Sequence, residues 1–308
     1  MEPPRRDDGA LIETVEAAVR RSLEGTTAPK PFPGILQSVF LLLLVGLVGT
    51  CTAVLFFLIT GLDPGGDVSL SAWTLVVVNS AGFLSVAVLG WRFSRAPLGE
   101  VFPFRPFSPS LLPPLVFLAP ALMVALGLVV RLVLLLPSGN ALEGWMEEFA
   151  ELVAEMFRNQ PFATFVAVVI VAPVTEEIFF RGLLLRGFLK RYSPAKAIVV
   201  STLLFSLAHL SPAQLAATIG LGLYLGWLYH RTRNLWLPIL AHAANNGLAY
   251  ILAALEVSKE PARVEEADTL GPWWIGVLAV AAVAFGLWWL AAVIRGGDRG
   301  TRGEPASP

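Results

Sequence analysis

The chain has 308 residues, of which 56% are hydrophobic and only 15% are charged, and its formal net charge is −1. This composition indicates a polytopic membrane protein and excludes an ordinary soluble domain. A net charge so close to zero argues against a nucleic-acid partner. Because the chain has one cysteine, no intramolecular disulfide can form.

Residues 1–33 are predicted to form a cytoplasmic tail that contains a short amphipathic helix. Leu11, Val15, Val19 and Leu23 recur at every fourth position, which is a helical spacing. The polar region is too long, and the apolar run after it too wide, for a secretory signal peptide. We expect a surface helix here rather than a binding element.

Eight apolar runs follow this tail. Since a helix needs about 20 apolar residues to cross a bilayer, we predict an all-α polytopic membrane protein with about eight transmembrane helices in residues 34–295. Residues 296–308 are rich in Gly, Arg and Pro and are predicted to form a disordered cytoplasmic tail. The predicted spans are Ile35–Leu62, Ala72–Phe93, Leu112–Leu136, Phe162–Leu189, Ala195–Leu210, Ala213–Tyr229, Leu235–Leu255 and Trp273–Ile294.

The loops between these runs alternate in charge. Arg and Lys occur in every second loop and after the last run, whereas the intervening loops are mostly acidic or uncharged. The positive-inside rule then places both termini in the cytoplasm and the protein in the cell membrane, which is the inner membrane in a bacterium. Residues 137–160 carry five glutamates at helical spacing, which predicts an external amphipathic helix with a solvated acidic face.

The fourth apolar run contains two adjacent carboxylates and an arginine. An ionisable side chain at bilayer depth costs several kcal/mol even on the lower scales, about 2.5–3.5 kcal/mol, unless it is paired or faces protein or water. Glu177 and Arg181 are four residues apart, so they lie on one helix face and are predicted to pair. Glu176 lies about 100° around the helix without a local cation. We therefore predict that Glu176 is a general base.

Two of the three histidines lie in other apolar runs. His209 ends the fifth predicted span, and His242 precedes Asn246 by one helical turn in the seventh. His230 lies in a basic loop, where solvation at the membrane interface explains it. A single membrane histidine is often only a hydrogen bond between helices. Together with Glu176, however, these side chains supply what is needed to activate water and hold an oxyanion.

Three motifs carry a family resemblance. They are Glu176-Glu177-x-x-x-Arg181, Phe205-x-x-x-His209 and His242-x-x-x-Asn246. As an ordered set they resemble the CPBP family, which includes the type II CAAX prenyl endopeptidases and the bacterial bacteriocin-processing and immunity proteins. The resemblance covers roughly Phe162–Leu255 and implies an eight-helix intramembrane endopeptidase that acts on a membrane-associated protein or peptide.

The resemblance also implies a role for each motif residue. Glu176 and His209 would activate the water, and His242 and Asn246 would stabilise the tetrahedral oxyanion. The remaining motif residues, Glu177, Arg181 and Phe205, would support the site. The family was first described as metalloproteases, and a metal-free glutamate mechanism is now the usual interpretation of its structures.

Several alternatives stay open at this stage. We expect that no cofactor is required, but Glu176, His209 and His242 are also a sufficient ligand set for a catalytic zinc ion, although no HExxH motif is present. A proton-coupled transporter would also use buried Glu and His, but it predicts inverted repeats, and we find none. A non-catalytic scaffold or immunity protein would not require all four polar residues. The substrate is not identified: a prenylated protein, a bacteriocin-like peptide and a C-terminal sorting signal all remain candidates.

One geometric difficulty accompanies this assignment. On a straight helix, Glu176 lies about 15 residues, or roughly 22 Å, from the outer end of its span. His209 lies at the outer end of its own span, and His242 lies in the inner half of another. The three side chains can meet only if the helix before His209 is short or tilted and the break at Ser211-Pro212 is covered by protein.

Overall fold

The computed structural model describes residues 13–17, 19, 31–60, 72–134, 151, 154–209, 212–257 and 273–302. In this part of the chain all regular structure is helical, without any strand, which confirms the predicted all-α class. The chain divides into two units, Met1–Pro31 and Phe32–Pro308. In the first unit, residues 13–17 and 19 are helical, and Val15 and Val19 are exposed. The other members of the predicted amphipathic stripe, Leu11 and Leu23, lie outside the described residues.

Eight long helices make up most of the described part of the second unit, and each occupies one of the predicted apolar runs. They are α1 (Ile35–Thr60), α2 (Ala72–Ser94), α3 (Leu112–Leu134), α4 (Pro161–Leu189), α5 (Pro194–Leu207), α6 (Pro212–Thr232), α7 (Trp236–Val257) and α8 (Trp273–Arg302). A short helix at Leu98–Val101 and a 3₁₀ turn at Pro109–Leu111 connect α2 to α3.

Five of the described helices, namely α1, α2, α3, α4 and α8, are long and apolar enough to cross a membrane. The protein is therefore a multi-pass membrane protein, as predicted. Helix α5 is apolar but has only 14 residues, and α6 and α7 are long enough but less apolar. The count of eight crossings and the cytoplasmic position of both termini stay predictions.

Two segments need a separate comparison with the prediction, namely the C-terminal tail and the acidic segment at 137–160. Helix α8 continues to Arg302 and so includes the first seven residues of the segment expected to be disordered, because its two glycines at 296 and 297 do not interrupt the helical hydrogen bonds. Residues 303–308 are not described. Most of the predicted external helix at 137–160 also lies outside the described residues, although 154–159 are helical and Met156 is buried against Ala72 and Ala163.

Helix α4 is the centre of the largest hydrophobic core among the described residues. Its second half is buried on nearly all sides by protein, and Phe179, Phe180 and Leu183 are fully buried. Side chains of α1, α2 and α5 pack around it. The second core joins α3 and α8, and α6 and α7 contribute side chains to both cores. This arrangement brings α6 and α7 against the polar residues of α4.

The glutamate-bearing part of α4 lies between two π-helical segments. The α-helical stretch Ala172–Glu177 is preceded by π turns at Val166–Val171 and followed by π turns at Ile178–Leu185. A third π segment, Ser80–Leu84, interrupts α2. Such segments are rare and occur frequently at functional sites. Because a π turn contains an additional residue, the faces of α4 do not follow a constant period of 3.6 along its length.

Candidate active site

The four side chains predicted to be catalytic line one cavity of about 380 Å³. Glu176 comes from α4, His209 from just beyond the end of α5, and His242 and Asn246 from α7. The geometric difficulty is resolved by the length of α5, since its 14 residues span only about 21 Å at 1.5 Å per residue. The short helix places His209 at the depth of the other three residues.

The predicted pair between Glu177 and Arg181 is present and fully buried. Arg181 Nη1 donates to Glu177 Oε1 at 2.8 Å, and the two side chains are 0% and 1% exposed. Arg181 Nη2 donates to the carbonyl oxygen of Gly222 at 3.3 Å, and the guanidinium carbon lies 4.6 Å from the centre of the Phe205 ring. The cation is therefore held by a carboxylate, a carbonyl and an aromatic face together.

Gly222 allows α6 to approach this arginine. A Cβ atom at Gly222 would lie 2.9 Å from Thr202 Cγ2 and 3.2 Å from Phe205 Cδ1. A side chain at this position would thus separate α6 from α5 and draw the Gly222 carbonyl away from Arg181.

Glu177 also contacts His242, which sequence reasoning did not predict. His242 Nδ1 lies 2.9 Å from Glu177 Oε1, the same oxygen that accepts from Arg181. Because an ionised carboxylate can only accept, the proton of this hydrogen bond belongs to Nδ1. In the sequence, the i,i+4 pair with Arg181 was a sufficient explanation for a buried charge at Glu177. No local pattern indicated that Glu177 has a second partner 65 residues further along the chain.

His209 is oriented in the same way by a backbone carbonyl. Its Nδ1 lies 3.0 Å from the carbonyl oxygen of Phe205, which can only accept, so Nδ1 is the donor. In the neutral ring, Nε2 is then the atom that can take a proton. Phe205 is fully buried, and its ring packs edge-on against both histidines, with centroids 4.9 Å from His209 and 5.8 Å from His242.

Glu176 differs sharply from its neighbour Glu177. It is 9% exposed and lines the cavity, and its Oε2 is a buried atom without a hydrogen-bond partner among the described residues. A carboxylate kept in this state is costly unless water or a substrate reaches it. The geometry therefore leaves Glu176 available for a ligand in the cavity.

Asn246 is anchored by the first π segment of α4. Its Nδ2 donates to the carbonyl oxygen of Val168 at 3.0 Å, which leaves the second amide hydrogen and Oδ1 for other partners. The neighbouring Asn245 also lines the cavity, and its buried Oδ1 has no partner among the described residues. Asn79 of α2 lines the cavity as well. Sequence reasoning missed Asn79, whose only signal was an amide inside an apolar run.

The described residues do not form a metal site. Among them, no group of three or more His, Cys, Asp or Glu side chains is placed to hold a metal ion. The Nδ1 atoms of His242 and His209 are engaged by Glu177 and Phe205, respectively. Glu176, His209 and His242, considered as a ligand set from the sequence, do not form such a group.

Fold and site together define a multi-pass helical membrane protein with a cavity lined by Glu, His and Asn side chains. Residues 158–248 match the family described as "Type II CAAX prenyl endopeptidase Rce1-like". The chain is 30% identical over 83 residues to the Bacillus subtilis (strain 168) protein named "Putative membrane peptidase YdiL", a match that covers 27% of this chain. It spans about a third (34%) of the length of that relative. No solved structure gives a significant match.

Proposed function

We propose that this protein is an intramembrane endopeptidase that hydrolyses a peptide bond of a membrane-associated protein or peptide without a metal ion. The observation that carries the proposal is the cavity that Glu176 shares with His209, His242 and Asn246, in which Glu176 makes no hydrogen bond to a described residue. The match of residues 158–248 to a family of membrane endopeptidases supports it.

The reaction begins with a water molecule between Glu176 and His209. Glu176 takes a proton from the water and His209 Nε2 accepts a hydrogen bond from it as the water oxygen attacks the scissile carbonyl carbon, so a C–O bond forms and the carbonyl oxygen becomes an oxyanion. When this intermediate collapses, the C–N bond breaks and Glu176 returns the proton to the leaving amine.

His242 and Asn246 hold the oxyanion. Asn246 donates through the amide hydrogen that is not bonded to Val168. Because His242 Nδ1 already donates to Glu177, donation from Nε2 requires a doubly protonated ring, for which the Glu177 carboxylate is the counter-ion. Glu177 and Arg181 then act by positioning His242 rather than by touching the substrate.

The test replaces Glu176 by its amide isostere. Membrane proteomes of cells that produce the wild-type protein or Glu176→Gln are compared to find a protein cleaved only by the wild type, and its cleavage is then measured with purified protein in vesicles. Loss of the general base should lower the rate by at least about 10²-fold. Glu155→Gln, on the helical segment 154–159 outside the cavity, is the control and should retain activity. Cleavage by Glu176→Gln at near the wild-type rate would overturn the proposal.

A further inference from the structure

A second, larger cavity opens on the side of the protein formed by α1. This feature, called here the membrane groove, has a volume of about 980 Å³ and lies between α1, α2 and the end of α5. Its lining includes Gly46, Thr50 and Ala53 of α1, Asn79 of α2, and Leu207 and Ala208 at the end of α5.

The membrane groove faces the bilayer rather than the protein core. Helix α1 is the least buried of the five membrane-crossing helices, with 11% of its most apolar window buried. Leu43 and Leu58, which line the groove, are 69% and 76% exposed. An apolar surface that is open on this side of a membrane protein meets lipid or a second membrane-embedded chain.

The membrane groove adjoins the cavity that holds Glu176. Asn79 lines both spaces. Ala208 lines the groove, and the next residue, His209, lines the cavity. A chain lying in the groove would therefore reach the four polar side chains at the point where Asn79 and His209 are located.

Asn79 is a polar side chain without a hydrogen bond to any described residue. It directly precedes the π segment Ser80–Leu84 of α2, within an otherwise apolar stretch. A carboxamide offers both donors and an acceptor, so it can pair with the N–H and C=O groups of one peptide unit. Backbone groups released when a helix unwinds inside a bilayer require such partners, because no bulk water is present.

The α1 wall of the groove is suited to a helix. Gly46, Thr50 and Ala53 follow one another at spacings of four and three residues, so they form one small-residue face. Small residues allow the backbones of two membrane helices to approach closely. A Cβ atom at Gly46 would meet no atom within 4 Å, so the space above this face is open.

We propose that the membrane groove admits a transmembrane helix of the substrate protein, and that Asn79 binds the backbone of that helix where it unwinds toward Glu176. The inference rests on the proposed peptidase function and specifies its substrate class as proteins with a membrane-spanning helix. The junction between groove and cavity makes this occupant preferable to a lipid chain, which has no backbone groups for Asn79 to bind.

The first experiment fills the groove. The probe is a single-span protein that the wild type cleaves and Glu176→Gln does not, reconstituted in phosphatidylcholine vesicles, alongside a short peptide that contains the same scissile bond but no membrane helix. Gly46→Phe should lower kcat/KM for the single-span probe by about tenfold or more, mainly through KM, and leave the short peptide nearly unaffected. The matched control is Gly127→Phe on α3, whose Cβ also meets open space and which lines neither cavity.

A second measurement blocks the groove after folding. In a Cys51→Ser background, Gly46→Cys is purified and then labelled with a bulky maleimide, so any loss of cleavage is not a folding defect. Cleavage of the single-span probe should fall on labelling, and labelling of Gly127→Cys in the same background should leave it unchanged.

The third measurement removes the carboxamide. Asn79→Ala should lower kcat/KM for the single-span probe about tenfold, and Asn79→Gln should recover part of the loss. Because Asn79 makes no hydrogen bond to a described residue, the unfolding temperature of Asn79→Ala in detergent should not fall. If Asn79→Ala lowered the unfolding temperature as well as the activity, Asn79 would have a structural role, and its assignment to substrate binding would be overturned.

The outcomes separate this inference from the function on which it rests. If Gly46→Phe and labelled Gly46→Cys cleave the single-span probe with wild-type KM and kcat while Glu176→Gln is inactive, the groove proposal is wrong and the peptidase proposal stands. If groove-filling changes impair only a lipid-modified peptide without a membrane helix, the groove holds a lipid chain and the helix proposal is overturned. If Glu176→Gln cleaved the probe at the wild-type rate, both the groove proposal and the peptidase proposal would be wrong.

Discussion

His242 Nδ1 and Arg181 Nη1 both bond to a single oxygen, Glu177 Oε1, at 2.9 and 2.8 Å. The two adjacent glutamates of α4 therefore lie in different environments. Glu177 is fully buried with a cation and an imidazole on one oxygen, whereas Glu176 lines the cavity without a hydrogen bond to a described residue.

Replacing Arg181 should destabilise the fold more than it affects the chemistry. Arg181→Ala leaves the carboxylate of Glu177 buried without its cation, which typically costs 3–5 kcal/mol, roughly, of unfolding free energy. Denaturant unfolding in detergent measures this loss. The matched control is Arg158→Ala, which breaks the exposed pair with Glu151 and should change stability by about 0–1 kcal/mol. An Arg181→Ala protein with wild-type stability but no activity would contradict this stabilising role.

Replacing Asn246 should lower kcat with little change in KM. If Asn246 donates to the oxyanion, Asn246→Ala removes one transition-state hydrogen bond, which is worth about 10²–10³-fold in kcat. Steady-state cleavage of the substrate found in the proteome comparison provides the measurement. Asn245→Ala is the control, because Asn245 lines the same cavity one position earlier and has no assigned role. Equal losses in both variants would argue that the polarity of the cavity, rather than Asn246 itself, is required.

Removal of metal should leave the activity intact. Glu176, His209 and His242 do not form a metal-binding group in the described structure, so we expect the purified protein to contain no stoichiometric zinc. Elemental analysis and a cleavage assay after exhaustive chelation check this together. Activity that disappears on chelation and returns with zinc would recast these three residues as ligands.

Acidification should remove a contribution of Glu100 to stability. Hydrogen bonds from Lys190 and then Arg186 lower the pKa of Glu100 below its ordinary value of 4.5. A carboxyl whose pKa is lower in the folded state stabilises the fold above its unfolded-state pKa, and this contribution disappears as the pH falls through the folded pKa. Since Glu100 is 46% exposed, screening by solvent limits the effect to about 1 kcal/mol or less.

The measurement for Glu100 is the stability difference between the wild type and Glu100→Gln as a function of pH. The difference should be present at neutral pH and should shrink below about pH 4.5, the ordinary carboxyl range. Glu155→Gln is the matched control, because Glu155 accepts a hydrogen bond from the uncharged side chain of Asn159, at 3.4 Å. A wild-type advantage over Glu100→Gln that grows on acidification would contradict the assigned direction.

The sequence predicted what local spacing and apolar length determine. The positions of α1 to α8 followed from eight apolar runs, and the Glu177–Arg181 pair followed from the i,i+4 rule. The contact between Glu177 and His242 could not be derived, because it depends on how α7 packs against α4. The direction in which each face of α4 points could not be predicted either, because a π segment on each side of Glu176 changes the number of residues per helical turn.

Asn79 and the end of α8 are two further features that local sequence patterns could not predict. Nothing near Asn79 in the sequence marks it as facing two cavities, because its neighbours other than Ser80 are apolar. The continuation of α8 to Arg302 ran against the composition of its final residues. Composition predicts disorder only weakly where an established helix can add one further hydrogen bond per residue.

The short length of α5 has a consequence for the supply of water. A helix of 14 residues extends about 21 Å, so if it starts at one face of a hydrocarbon layer about 30 Å thick it ends roughly 9 Å below the other. Lipid that contacts this helix must then thin locally to match its length. This deformation shortens the nonpolar barrier above His209. A hydrolytic enzyme consumes one water molecule per turnover, and hydrophobic mismatch at this one helix would place its site beneath the thinnest part of the surrounding bilayer.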